Sequence, residues 1–165
     1  MATLTADSAR KLASVFSRQL DGLKNMLYIL QQEYAALENN DRKAFDKAVG
    51  DKQLQVHALE NLDLELKPVL DMTGGSYEKG SIDRLINTLD NTPIKEQLAT
   101  TWEQLIDALN QCQEQNKINQ RIIDASRINI QQTLDILLGE NSMPKLYSPS
   151  GKQSTASSGH SIAVA

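Results

Sequence analysis

The longest helix-forming stretch of the chain is residues 93–138, which read PIKEQLATTWEQLIDALNQCQEQNKINQRIIDASRINIQQTLDILL. Thr92 is placed to cap this helix, Pro93 suits its first position, and Gly139 ends it. At 1.5 Å per residue the helix would be ~70 Å long, which is too long for the interior of a compact domain of this size. A helix of this length, followed by a Ser/Gly-rich tail to Ala165, is typical of a protein that holds partners and not of one that encloses a substrate.

One face of this helix carries a heptad stripe that changes character along its length. The first half is apolar, whereas Asn116 and Asn119 occupy positions where apolar residues are expected. A buried Asn at a helix seam fixes the register at a cost in stability. The predicted stripe consists of Leu98, Trp102, Leu105, Leu109, Cys112, Asn116, Asn119, Ile123, Ser126, Ile130, Thr133 and Leu137.

The second half of the helix has more apolar residues than one stripe can bury. Nine Ile or Leu residues lie between Ile118 and Leu138. Three interpretations remain open: the rest of the bundle buries them, a homodimer buries them, or they form a surface for a helix of another protein.

Two further long helices are predicted upstream. The first carries a heptad seam, and the turn Asn39-Asn40-Asp41 connects it to a second helix from Arg42 to Met72, with Asp41 as N-cap. Lys52 and Asp63, with Gly50, interrupt the second seam, which indicates looser pairing. The first seam consists of Phe16, Leu20, Leu23, Leu27, Leu30, Tyr34 and Leu37.

Helix-breaking residues in and after the second helix indicate where it ends and where one short helix follows. Pro68 is expected to kink or restart the second helix, because its ring clashes with the preceding turn. Gly74-Gly75 should end that helix. Residues 81–90 then predict a short helix before the long one.

Amino-acid composition and net charge restrict the classes of fold and function that the chain can have. Hydrophobic residues make up 40% of the chain and aromatic residues only 4%, which favours helical bundles over sheets. The net charge of -4 argues against nucleic acid as a partner. No apolar run approaches ~18 residues and no apolar segment follows Lys11, so neither membrane insertion nor a secretory signal is predicted. We therefore expect a cytoplasmic protein.

The chemistry-bearing residues form no convincing catalytic or metal site. His57 and Glu60 share a helix face, but the bundle metal motif has Glu before His and a second copy. Cys112 lies on an apolar stripe and is expected to be a buried free thiol. Residues 74–81, GGSYEKGS, lack the order of a phosphate-binding loop. We expect no enzyme activity, no metal and no cofactor.

The helix layout of nearly the whole chain, and two specific stretches of its last third at residues 102–123 and 146–153, resemble the FlgN family of flagellar type III export chaperones. The family pattern W…L…N-x-x-N-G-x-L-I is matched by Trp102, Leu105, Leu109, Asn116, Asn119, Ile122 and Ile123, with Gln120 where the family often has Gly. Residues 146–153, LYSPSGKQ, resemble the tail motif L-Y-G-x-x-G-Q, with Ser148 in place of Gly and Lys152 inserted before Gln153.

The resemblance implies a function. Members of this family bind the hook–filament junction subunits, which are hook-associated proteins one and three, keep them unassembled and bring them to the export gate. It also implies that Leu146 and Tyr147 dock on the cytoplasmic domain of the gate's membrane protein. We expect the client's terminal helix to contact residues among Ile122, Ile123, Ile130, Leu134 and Leu137.

Together these patterns predict an all-α protein. The expected fold is an elongated antiparallel helical bundle, or coiled coil, of three long helices plus one short helix, with a disordered C-terminal tail. Residues 1–139 would form the chaperone domain and residues 140–165 a flexible tail with the docking motif. The expected state is a monomer or weak homodimer, and the alternative function is a generic self-associating coiled-coil scaffold or regulatory adaptor.

Overall fold

The computed structural model of the chain describes residues 5–76, 78–90 and 92–139. These residues form four α-helices, which are α1 (Ala6–Glu38), α2 (Arg42–Thr73), α3 (Lys79–Asn87) and α4 (Pro93–Leu137). The all-helical prediction of three long helices and one short helix is confirmed. The short helix begins and ends slightly before the predicted 81–90.

Local capping explains where the helices begin and end. The Thr5 side chain accepts the Ser8 amide at 3.2 Å, and Asp41 Oδ1 accepts the Ala44 amide at 3.0 Å. Gly74 closes α2 in the left-handed region with φ of 65°, a conformation that glycine adopts without steric cost. The predicted roles of Asp41 and Gly74 are thus confirmed.

Helices α1 and α2 form an antiparallel hairpin. Arg18 makes two hydrogen bonds to the Glu65 carboxylate, at 2.7 and 3.1 Å, and this guanidinium lowers the pKa of Glu65. Further along α1, the Gly22 carbonyl accepts Gln55 Nε2 at 2.9 Å. Partners therefore move back along α2 as the chain advances along α1, which defines the antiparallel direction.

Helix α4 packs on α1 in the parallel direction. The rings of Phe16 and Trp102 stack with centroids 5.2 Å apart, and Cys112 Sγ donates to the Leu23 carbonyl at 3.3 Å. Residue numbers rise together on the two helices, because each successive long helix reverses direction and the third runs parallel to the first. The core between the helices includes the fully buried side chains of Phe16, Leu12, Leu66, Ile82 and Leu98.

The structure excludes one of the two options at Pro68 and corrects one seam position on α4. Helix α2 continues through Pro68 to Thr73, so the predicted restart does not occur, whereas the predicted kink stays a prediction. Pro68 and Leu64 both lie on the exposed side of α2, where water can reach the Leu64 carbonyl that loses its intrahelical partner. On α4, Ala108 is buried whereas Leu109 is 38% exposed, so a small residue occupies the seam where Leu109 was predicted.

The chain divides into two compact units, one through Asp124 and one from Ala125. The first contains α1, α2, α3 and most of α4, together with the core. The second contains the remainder of α4 to Leu137, which is described by itself below. The predicted domain boundary at 139 and the predicted disordered tail reach residues outside the described ranges and remain predictions.

The two helical glycines of the hairpin differ in their surroundings. A Cβ at Gly22 would lie 2.8 Å from Leu59 Cδ2 and 3.1 Å from Gln55 Nε2, whereas a Cβ at Gly50 would meet nothing within 4 Å. Gly50→Ala should therefore raise the free energy of unfolding by ~1 kcal/mol through helix propensity alone. Gly22→Ala should lose that gain to the crowding of Leu59 and Gln55.

Urea denaturation of the two alanine variants measures this difference. We expect Gly22→Ala to be less stable than Gly50→Ala by about 1 kcal/mol or more. Equal stabilisation by both substitutions would mean that α1 and α2 do not approach closely at Gly22.

Candidate functional site

Asn119 of the family motif is buried and bridges α4 to α1. Its Nδ2 donates to Glu33 Oε2 at 2.7 Å and to the Leu30 carbonyl at 2.9 Å. Its Oδ1 accepts Gln115 Nε2 at 3.0 Å. With a side chain only 1% exposed, Asn119 exchanges its water contacts for these bonds.

Glu33 connects the same site to α2. This carboxylate is 2% exposed, and Lys52 Nζ lies 3.2 Å from each of its oxygens. Lys52 also donates to Asn116 Oδ1 at 2.8 Å. The two motif asparagines thus have different partners: Asn119 binds α1, and the exposed Asn116 binds α2 through Lys52.

We call Glu33, Lys52, Asn116 and Asn119 the polar clasp. Its bonds join α1, α2 and α4 at one level of the bundle. A buried carboxylate without donors is costly, so any shift of α4 along α1 that separates Asn119 from Glu33 is disfavoured. Among the described residues, no buried side-chain nitrogen or oxygen lacks a hydrogen-bond partner. Asn119 is thus buried at the seam as predicted, whereas Asn116 is exposed, and the register-setting role of the two asparagines stays a prediction.

Sequence reasoning identified the asparagines but not their partners. Glu33 sits among buried apolar residues of α1, and this break in the pattern was a usable signal. From the sequence, Lys52 was predicted only to interrupt the apolar seam of α2. Asp63, the other charged interruption, accepts Gln19 Nε2 at 2.7 Å, and Gln19 is itself buried. Both interruptions on α2 are thus partners of buried polar residues on α1.

Trp102, the third motif residue, has a packing role. Its ring stacks on Phe16, and its Nε1 donates to Asp83 Oδ1 of α3 at 2.9 Å. The side chain is 3% exposed. Trp102 therefore joins α1, α3 and α4, which explains a large aromatic residue with a donor at this position.

The predicted client residues occupy two environments. Ile122 and Ile123, in the first unit, are half-buried. In the second unit Ile130 is 61% exposed, Leu134 44% and Leu137 76%. None of these three side chains is buried within its own unit.

The second unit of α4 is apolar and almost uncharged. Ile128, Ile136 and Leu138 are also more than half exposed. Only Arg127 and Asp135 are charged between Ala125 and Leu138. Soluble proteins rarely leave such a concentration of apolar side chains in water unless a partner covers it.

The residues considered for chemistry stand apart from one another. His57 Nδ1 lies 3.1 Å from Glu60 Oε2 on an exposed face, and no group of three or more potential metal ligands occurs within the described ranges. Burial raises the pKa of the Cys112 thiol, which stays protonated and donates to Leu23. Leu146 and Tyr147 lie outside the described residues.

A helical bundle with an exposed apolar helix face is typical of a protein-binding module. A sequence model of the FlgN protein family matches residues 1–155. The chain therefore belongs to the FlgN family, a family of flagellar export chaperones that bind flagellar proteins and are not enzymes.

No curated protein and no solved structure matches the chain. None of the four described helices combines the length and the apolar composition needed to cross a lipid bilayer.

Alanine substitution of each motif asparagine should show that they contribute differently to the stability of the bundle. Asn119→Ala deletes the donors to Glu33 and Leu30 and leaves both acceptors buried, so it should lower the free energy of unfolding by ~2–3 kcal/mol. Asn116→Ala removes one exposed acceptor and should cost ~0.5 kcal/mol or less. Thermal and urea unfolding of the pair give the comparison. Equal costs would show that the clasp does not stabilise the bundle.

Proposed function

We propose that this chain is a cytoplasmic export chaperone for hook-associated proteins. It holds the junction subunits unassembled and brings them to the type III export gate. The single observation that carries the proposal is the exposed apolar face of α4 around Ile130, Leu134 and Leu137. Membership of the FlgN family supplies the class of client.

Helical spacing places the side chains of Ile130, Leu134 and Leu137 on one continuous binding face. Residues at i, i+4 and i+7 lie along one side of a helix, and Ile130, Leu134 and Leu137 follow that spacing. A client helix with its own apolar stripe can pack along this face. Because almost no charge lies within the segment, contact there requires little desolvation of ionic groups. Ile122 and Ile123 precede it on α4 as further predicted client contacts.

Burial of these side chains also supplies binding free energy for the client complex, so that no nucleotide hydrolysis is needed. Covering one exposed Leu or Ile contributes ~1.5–3 kcal/mol. Two or three such residues suffice for a complex that forms in the cytoplasm and dissociates at the gate. The client's terminal segments, which would otherwise polymerise, are the natural occupants of such a face.

The alternative is a generic self-associating scaffold or regulatory adaptor. The same face could pack against a second copy, which would give the weak homodimer considered from the sequence. A scaffold of this kind would bind itself in the absence of clients and would not retain hook-associated proteins. Sedimentation with and without a client distinguishes these cases.

The tail is proposed as a second binding element. Leu146 and Tyr147 form an apolar pair between Pro144 and Pro149, and they match the tail motif of the family. Tyrosine offers a rigid apolar ring and a hydroxyl while ordering only two side-chain torsions. We propose that this pair docks on the cytoplasmic domain of the gate's membrane protein.

Substitution of two exposed residues tests the client face. Ile130→Asp/Leu134→Asp should leave the helix content unchanged, because both side chains are already exposed, and should weaken binding of a hook-associated protein by 100-fold or more. The matched control is Leu54→Asp/Leu64→Asp, since these residues are 72% and 66% exposed on α2. Unchanged client affinity in the first variant, measured by calorimetry, would remove this face from the client site.

Substitution of the tail tyrosine tests docking separately. Tyr147→Ala should keep the fold and client binding but weaken capture by the gate's cytoplasmic domain about tenfold or more. Tyr28→Ala is the control, because Tyr28 is an exposed tyrosine of α1. Paired measurements with client and gate protein decide the outcome. Loss at both would place Tyr147 in the client site, and loss at neither would make the tail passive.

A further inference from the structure

A groove between α3 and α4 lies within the first unit, away from the residues proposed for clients. It has a volume of about 740 Å³. On the α4 side it follows Ala99, Glu103, Ile106 and Asn110, whose spacing defines one continuous helix face. The groove thus extends for ~16 Å, or about three helical turns.

The groove combines an apolar floor with acidic walls. The half-buried Ala99 and Ile106 supply its accessible apolar surface, Ile86 and Trp102 line it as buried side chains, and the carboxylates of Asp83, Glu103 and Asp107 stand beside them. Within the described residues, no Lys, Arg or His lines it. Two cations of the same helices are used elsewhere: Arg84 Nε donates to the Gly80 carbonyl and Lys95 Nζ to the Leu89 carbonyl.

The carboxylates have donors that do not neutralise them. Asp83 accepts Trp102 Nε1, and Asp107 accepts Gln111 Nε2 at 2.7 Å. Both donors are uncharged, so the negative charge of the walls is retained. A cationic occupant would be attracted here, whereas anionic lipid and nucleic acid would be repelled.

We propose that this groove binds an amphipathic helix of another protein, one that places Leu or Ile on the floor and Lys or Arg against the carboxylates. The shape fits because a helix packs along the groove between two neighbouring helices. The charge fits because the groove offers three carboxylates to a partner that supplies the cations. A second copy of this chain is a poorer occupant, since each copy carries a net charge of -4.

The test uses a synthetic 18-residue helix with Leu on one face and Lys along both flanks. A twin peptide carries Glu in place of Lys. Trp102 is the chain's only tryptophan and lies on the groove floor, so its fluorescence reports occupancy. We expect a saturable change with the Lys peptide, no change with the Glu peptide, and an affinity that falls as salt is raised.

Charge reversal locates the site. Glu103→Lys/Asp107→Lys should weaken binding of the Lys peptide at least tenfold. The control is Asp21→Lys/Asp71→Lys, which changes the net charge equally at exposed positions outside the groove and should change affinity less than twofold. Should the first variant lose helicity, Glu103→Gln/Asp107→Asn replaces it with the same expectation at smaller amplitude.

Three results would overturn the proposal. One is equal weakening by both charge-reversal variants, which would indicate a general charge effect. Another is loss of peptide binding in Ile130→Asp/Leu134→Asp, which would place the peptide on the face proposed for clients. The third is concentration-dependent self-association that Glu103→Lys/Asp107→Lys abolishes, because the occupant would then be a second copy.

Discussion

The buried carboxylate of Glu33 is the constraint on which the arrangement of the three long helices depends. A carboxyl group that is 2% exposed needs hydrogen-bond donors from its surroundings, and Lys52 of α2 and Asn119 of α4 provide them. Apolar packing alone tolerates sliding between helices, since one Leu can replace another at a seam. The clasp adds a position-specific requirement, because only one register brings all these groups within hydrogen-bonding distance.

The buried residues of α4 lie in its first part. Glu33 lies five residues before the end of α1 at Glu38, and the hairpin turn follows. Asn119 is the last buried residue of α4. From Ala125 the helix belongs to a second unit whose apolar side chains are exposed. An isolated helix of this composition is marginally stable in water, so a partner would both cover and order it.

Local patterns in the sequence predicted the helices and their ends, because caps at Asp41 and Gly74 act over a few residues. They did not predict that Ala108 replaces Leu109 in the seam or that Lys52 meets Glu33, since such pairings depend on which helix lies opposite. The candidate site shows the same contrast: the asparagines are visible in the sequence as breaks in an apolar stripe, whereas helical spacing alone does not reveal the exposure of Ile130. The proposed roles of Leu146 and Tyr147 rest on the family resemblance alone.

Amide hydrogen exchange along α4 most directly tests the division between the part that contains buried residues and the part proposed to bind clients. In the free chain, amides between Leu98 and Asn119 should exchange slowly and those from Ala125 to Leu137 quickly, because only the first set contains buried side chains. Addition of a terminal helical segment of a hook-associated protein should slow exchange in the second set. Uniform slow exchange along the free helix, or no change from Ala125 onward when the client segment is bound, would contradict the account.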